Sequence, residues 1–211
     1  MTSTTLLNIV LAYLLGSFSG SLMLGALRNV DIRLSGSGNA GGTNAFRSQG
    51  LRFALGVVLI DVAKGVVAAA LISRLQFFGA GEAGDHSAQA LLCGFAAILG
   101  HCFPVWHGFR GGKGAATAVG VLCVVQPWAL VPMLLTWLVV LVLSGWVGLA
   151  TILAGFSLVP AFLWLEAGPE QLTFAVVVAL FLLFTHRSNL RRMRLGSEYR
   201  FERAMLRSWF R

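Results

Sequence analysis

Charge is what this chain has least of. Only 11% of its 211 residues are Asp, Glu, Lys or Arg, against 57% hydrophobic, and the mean hydropathy is +0.79. A soluble domain carries about 25% charged residues, so a water-soluble globular fold is excluded. Cysteine is scarce as well. Cys93 and Cys123 lie in apolar runs and Cys102 opens a central polar stretch; without framework spacing they give no disulfide network and no zinc pattern. No basic residue precedes Arg28 and no small-residue cleavage pattern is present. Leu6–Leu27 is therefore expected to be a first spanning helix and not a removable signal peptide. No internal repeat or linker divides the chain.

What is present is a series of apolar runs close to the ~20 residues that span a bilayer. The chain reads as one polytopic membrane domain over residues 1–211. Its net charge of +8 could suggest nucleic acid, but fourteen of the sixteen Lys and Arg fall in Arg28–Arg52, Arg110–Lys113 and Arg187–Arg211. That clustering follows the positive-inside rule, so the expected partner is the lipid bilayer and not nucleic acid.

The same rule sets the topology. Helix 1 covers about Leu6–Leu27, a polar loop follows, and helix 2 covers Phe53–Ile72. Arg74–His86 reads as an outer loop, and helix 3 runs from Ser87 to Trp106. Ala115–Leu143 is apolar for 29 residues, with Pro127 and Pro132 inside. As one helix it would place the eight-arginine tail outside; as two, broken near Pro127, it places the tail inside. Helices 6 and 7 are then about Val147–Leu165 and Leu172–Thr185. The expectation is an all-α integral membrane protein with seven transmembrane helices, N-terminus outside and C-terminus cytoplasmic.

Three polar stretches then share the cytoplasmic side. In Gly100–Thr117, GHCFPVWHGFRGGKGAAT, glycines crowd round Arg110 and Lys113. Freely oriented backbone N–H groups beside two cations suit a phosphate; a flexible basic loop is the competing reading. In Leu34–Arg47 every residue from Ser35 to Asn44 except Ala40 is Gly, Ser, Thr or Asn, with Arg33, Arg47 and Arg52 supplying charge. It reads either as a donor-rich binding loop or as a glycine-rich linker. Asp61 and Lys64 lie three apart on one face of helix 2. At membrane depth they form either a packing ion pair or part of a polar site, with Lys64 toward substrate and Asp61 orienting it. Ser144 suits a helix cap as well as chemistry, and His101 could anchor the loop beside Pro104. His186 and Asn189 would share a face if the last helix continued.

Several chemistries drop out. The central stretch misses the G-x-x-x-x-G-K-[ST] spacing, and no strand precedes it. His101 and His107 have no Cys or carboxylate at metal spacing, so no metal site is expected. No histidine has an aspartate five positions on, as the acyl-CoA- and carrier-protein-dependent acyltransferases require.

The strings SGSGNAGGTNAFR, DVAKG, GHCFPVWHGFRGGKGAAT and HRSNLRRMRLGSE, in that order, resemble the bacterial acyl-phosphate:glycerol-3-phosphate acyltransferases nearly end to end. The resemblance implies an inner-membrane enzyme with seven helices and no cofactor, expected here as a monomer with its site facing the cytoplasm. Its substrates would be acyl phosphate and sn-glycerol 3-phosphate, and its products lysophosphatidic acid and phosphate. It implies substrate binding by Ser35, Ser37, Asn39, Thr43, Asn44, Arg47, His101, Arg110, Gly111, Gly112 and Gly114, with Lys64 added from its place in helix 2, and catalytic roles for Lys113, His186, Asn189 and Ser144. Two departures stand out: Arg110 replaces a common lysine, and in the turn after helix 5 Gly145 replaces an arginine and Gly148 a serine. The rival class is a membrane transporter of an organic phosphate, but inverted repeats with paired broken helices are not evident. A lipid scaffold would explain the arginine tail and leave both polar loops idle.

Overall fold

The structure is a computed structural model describing residues 2–77 and 86–206. Most of the expected outer loop, together with Arg207 and Arg211, falls outside them. The described residues form helices and turns with no strand, as an apolar chain that must satisfy its backbone within each segment requires. The helices are α1 Ser3–Gly16, α2 Gly20–Ala26, α3 Gly42–Gln49, α4 Leu51–Ala70, α5 His86–Cys102, α6 Ala115–Val125, α7 Leu130–Ser144, α8 Val147–Trp164, α9 Pro169–Thr185 and α10 Arg187–Arg194. Among the described residues four stretches are long and apolar enough to cross a membrane: Leu51–Arg74, His86–His107, Pro127–Ser144 and Val147–Trp164. Counting α1 with α2 and α9 with α10, each pair bent by 48°, gives up to six. The eleven residues of α6 rise only about 16 Å, short of the ~30 Å hydrocarbon core.

Two compact units divide at Val125. In the first, α4 touches α1, α2, α3, α5 and α6. Small residues set the closest crossings. A Cβ at Gly100 would press on the Ser17 amide of the first span, and one at Gly65 would meet the Gly120 Cα of α6 at 3.2 Å. Backbone-to-backbone approach of this kind replaces the hydrophobic drive that lipid does not supply. In the second unit α8 packs on α7, α9 and α10, and the Trp137 indole donates to Thr151 Oγ1 at 3.2 Å. Along α7, Leu134, Leu135, Leu138 and Leu143 stay exposed, as suits a lipid-facing helix.

Two local features differ from the sequence reading. The expected helix Leu6–Leu27 is bent between Gly16 and Gly20, where Lys64 Nζ takes the carbonyls of Gly16 and Phe18. The first polar loop contains a helix, α3, bounded by Gly41 and by Gly50 at φ +81°. The last expected helix ends at Thr185 as the sequence places it, and α10 sets off from there at a new angle. The break near Pro127 is where the sequence places it, with Gln126 leaving helical geometry before a short turn over Pro127–Ala129.

Candidate functional site

In the first unit the two glycine-rich loops are tied together. Asp31 caps the short turn Ile32–Leu34 by accepting from the Arg33 amide at 2.9 Å. Arg33 Nη2 donates to Asp31 Oδ2 at 2.7 Å. Its Nη1 reaches over to the central loop, donating to the carbonyls of His107 and Arg110 at 3.2 Å each. The Ala40 amide adds a 3.4 Å bond to the Gly111 carbonyl. The guanidinium beside Asp31 holds its carboxyl below the usual carboxylate range, against an opposing push from partial burial. The carboxylate in turn raises the Arg33 pKa.

The polar residues of the first loop divide by role. Asn44, 1% exposed, is an internal staple. Its Oδ1 accepts from the Ser37 amide at 2.9 Å, and its Nδ2 donates to the carbonyls of Ile32 at 2.8 Å and Ser35 at 3.1 Å. Gly36, at φ +58°, leaves no room for a Cβ beside that amide. Ser35, Ser37, Asn39, Thr43 and Arg47 are only half-buried. Ser35 and Arg47 line a cleft of about 570 Å³ between residues 29–36 and 47–49.

The central loop sits on the end of α5. The Gly112 amide donates to the His101 carbonyl at 3.0 Å and the Gly111 amide to the Cys102 carbonyl at 3.2 Å. A Cβ on Gly112 would run into the His101 ring, and one on Gly111 would meet Pro104 Cδ at 2.6 Å. Glycine at both positions is what lets the loop lie flat. Gly114 turns the chain into α6 at φ +90°. Arg110 is exposed and Lys113 half-buried.

Below the loop, Lys64 and Asp61 pair at 3.0 Å, both almost fully buried. Lys64 Nζ also donates to the carbonyls of Gly16 at 2.9 Å and Phe18 at 3.0 Å, and lies 2.8 Å from His101 Nδ1. Asp61 Oδ1 accepts from the Gly20 amide at 3.2 Å. The polar groups that the bend exposes are thus satisfied by one ion pair on α4, as a membrane interior demands.

In the second unit His186 and Asn189 are both buried. His186 Nδ1 lies 2.8 Å from the Leu182 carbonyl and so donates to it, which makes Nε2 the basic nitrogen of the neutral ring. Asn189 Nδ2 donates to Glu198 Oε1 at 2.7 Å, and Arg192 Nε to Glu198 Oε2 at 2.6 Å. Ser144 Oγ donates to the Val140 carbonyl at 2.6 Å and accepts from the Trp146 amide at 3.1 Å. Those are the bonds of a helix-ending turn.

A profile of the family described as glycerol-3-phosphate acyltransferase matches residues 6–196. The glycerol-3-phosphate acyltransferase of Chlorobium luteolum is 39% identical, over 93% of this chain and 96% of that protein. That of Alkaliphilus metalliredigens is 38% identical, over 92% and 94%. The chain belongs to the glycerol-3-phosphate acyltransferase family. Among solved structures it is similar to PlsY (YgiH), an integral membrane glycerol 3-phosphate acyltransferase, in its glycerol 3-phosphate form. That match has a TM-score of 0.82 at 31% identity, covering 99% of this chain and 100% of that one. The lysophosphatidic acid form of the same protein gives 0.80 at 31% identity, over 94% and 96%. The molecule is accordingly an integral membrane acyltransferase of bacterial type.

Family membership also throws the departures into relief. At Gly148 a Cβ would stand 2.7 Å from the Asn189 Cβ, so the space a serine would fill is taken by the buried asparagine. Arg200, from the tail, donates to the Ser144 carbonyl at 3.2 Å and lies 4.8 Å from the Trp146 ring centroid. A guanidinium therefore does reach this turn, although Gly145 carries none. The sequence reading did not single out Asp31, Arg33, Arg192, Glu198 or Arg200 as site residues. The signal for Glu198 was its place as an acid among arginines, and for Asp31 its position two residues before Arg33.

Proposed function

We propose that the enzyme is an acyl-phosphate-dependent glycerol-3-phosphate 1-O-acyltransferase, performing the first acylation of phospholipid synthesis in the bacterial cytoplasmic membrane. The observation that carries this reading is the tie between the two loops. It joins the donor-rich loop 35–44 to the loop that carries Arg110 and Lys113, through Arg33 to the His107 and Arg110 carbonyls and Ala40 to Gly111. The relatives' names and the glycerol 3-phosphate form of the similar structure point to the acceptor. The missing histidine–aspartate signature points to the donor, because an acyl phosphate already has a good leaving group and needs no strong base.

In this scheme the 1-hydroxyl oxygen of sn-glycerol 3-phosphate attacks the acyl carbonyl. The C–O bond to phosphate breaks, and the hydroxyl proton passes to a phosphate oxygen of the substrates. The products are lysophosphatidic acid and inorganic phosphate. Two phosphorylated substrates repel each other, so the protein's part is to hold and neutralise them. Ser35, Ser37, Asn39, Thr43, Arg47 and Arg110 bind, while Gly111 and Gly112 seat the loop through their bonds to the carbonyls of Cys102 and His101. Lys113, His186, Asn189 and Ser144 serve the transfer. The whole chain acts as one domain and as a monomer. It crosses the membrane seven times, N-terminus outside and C-terminus inside, with α6 counted as a short span and the site on the cytoplasmic face.

The test is purified protein in detergent with labelled glycerol 3-phosphate and no added metal. Palmitoyl phosphate, acyl-CoA and acyl-carrier protein are supplied separately, with Lys113→Ala alongside. Product from palmitoyl phosphate alone, lost in the variant, supports the reading. Equal product from a thioester donor, or an undiminished variant, overturns it.

A further inference from the structure

The buried pair on α4 does more than close the bend in the first span. Lys64 Nζ is surrounded by four acceptor positions: the carbonyls of Gly16 and Phe18, Asp61 Oδ1, and His101 Nδ1, which is nearest at 2.8 Å. An ammonium can donate but not accept. With the lysine donating at that separation, His101 Nδ1 supplies the lone pair and the neutral ring keeps its proton on Nε2. Lysine thus selects the tautomer.

The selected N–H has a definite place. The ring is 2% exposed, and its Nε2 edge lies directly under Gly112, where a Cβ would strike Nε2, Cε1 and Cδ2. Among the described residues Nε2 makes no hydrogen bond. That N–H is left to serve a ligand, and the loop above it is the one rich in anion-binding groups. The backbone of the same residue seats that loop through the bond from the Gly112 amide.

We propose that Lys64 and Asp61 are positioning residues for acyl transfer, holding His101 as the Nε2–H tautomer so that the Arg110–Gly114 loop has a neutral donor beneath it. The identity of the anion rests on the acyltransferase reading; the tautomer does not. Asp61 keeps Lys64 in place by sharing its charge and by accepting from Gly20, which fixes the start of α2. Neither side chain touches substrate. Without the lysine donor the ring has a second choice, because Nδ1 lies 3.3 Å from Asp61 Oδ1. Protonated there, it would donate to the carboxylate and turn a bare lone pair toward the loop, where it would repel an anionic oxygen.

The experiment uses the full-length protein in detergent, with ¹⁵N-labelled histidine, and reads the imidazole nitrogens by NMR; His101→Asn assigns the resonances. Wild type is expected to show Nδ1 unprotonated and Nε2 protonated at His101. Lys64→Met is expected to reverse them and to raise KM for glycerol 3-phosphate by roughly tenfold or more, the scale of one lost hydrogen bond to an anion, with a smaller change in kcat. Lys64→Gln, which restores a neutral N–H donor, should recover the wild-type tautomer and much of KM. A merely structural pair would lower the melting temperature and leave the tautomer alone. A wild-type proton on Nδ1 overturns the proposal, and so does a folded Lys64→Met with tautomer and KM unchanged. If Lys64→Met does not fold, the wild-type and Lys64→Gln spectra decide. If no donor gives product, the acyltransferase reading falls while the spectra still judge the tautomer.

Discussion

Asn189 Nδ2 donates to Glu198 Oε1 at 2.7 Å, while Arg192 occupies the other carboxylate oxygen at 2.6 Å. The glutamate side chain is 3% exposed and the arginine 32%, so one buried acid orients the amide to which we assign a part in the transfer. Glu198→Gln removes the charge and sets an amide N–H against Arg192. The arginine is exposed enough to rehydrate, so the expected loss is about 1–3 kcal/mol. Thermal unfolding in detergent reads it directly. Turnover should fall with stability and no further, because the amide oxygen that remains still accepts from Asn189.

Gly148 tests the same amide from the other side. Alanine there would place a Cβ 2.7 Å from Asn189 Cβ and 2.8 Å from its Cγ, closer than packed carbons come. We expect Gly148→Ala to displace Asn189 and to lower kcat about tenfold or more, one displaced reacting group being worth that much. Gly168→Ala, which meets nothing, is the control that should stay active.

The helices were legible where chemistry punctuates the chain. Pro127 marks the break between α6 and α7 because proline cannot continue a helix. The bend after Gly16 has no such mark: Gly-Ser-Phe-Ser fits an apolar span, and the lysine that stabilises the bend lies 48 residues away. Helix α3 was hidden for a related reason. Its eight residues are too short and polar to form alone, and it is held by Asn44, whose partners are Ile32, Ser35 and Ser37. The site was legible as a set of residue types and not as a set of roles. Arg33 reads as loose charge in the sequence and turns out to tie two loops. Asn44 reads as a donor for substrate and spends both ends on the protein.

Asp31 gives the Arg33 tie a pH dependence of known sign. Its folded-state pKa is lowered, first by hydrogen bonding from Arg33. The stabilisation is therefore complete above the unfolded value of about 3.9 and is lost as pH falls through the folded one. Across neutral pH the pair should contribute no slope to KM for glycerol 3-phosphate. Asp31→Asn should impose at pH 7 what acid imposes on wild type. Because the pair is partly exposed, we expect a modest rise in KM, about two- to fivefold, measured by initial rates. A wild-type KM that falls as the medium is acidified would contradict the assignment.

Gly112→Ala puts the seating of the anion loop to the test most directly. The added Cβ would enter the space of the His101 ring, and the ring cannot retreat, because it is 2% exposed and Nδ1 lies against Lys64. The loop has to lift instead, breaking the bonds from the Gly112 and Gly111 amides to the carbonyls of His101 and Cys102. Two lost hydrogen bonds in a substrate loop correspond to about a tenfold to hundredfold weaker grip on the anion. KM for glycerol 3-phosphate should rise on that scale with little change in melting temperature, since the helices below are untouched. Gly108→Ala separates this effect from backbone strain. Gly108 has nothing within 4 Å but sits at φ +63°, so alanine there costs about 1–2 kcal/mol of left-handed strain without touching His101. If Gly108→Ala raised KM as much as Gly112→Ala, loop flexibility and not its seat on His101 would control binding.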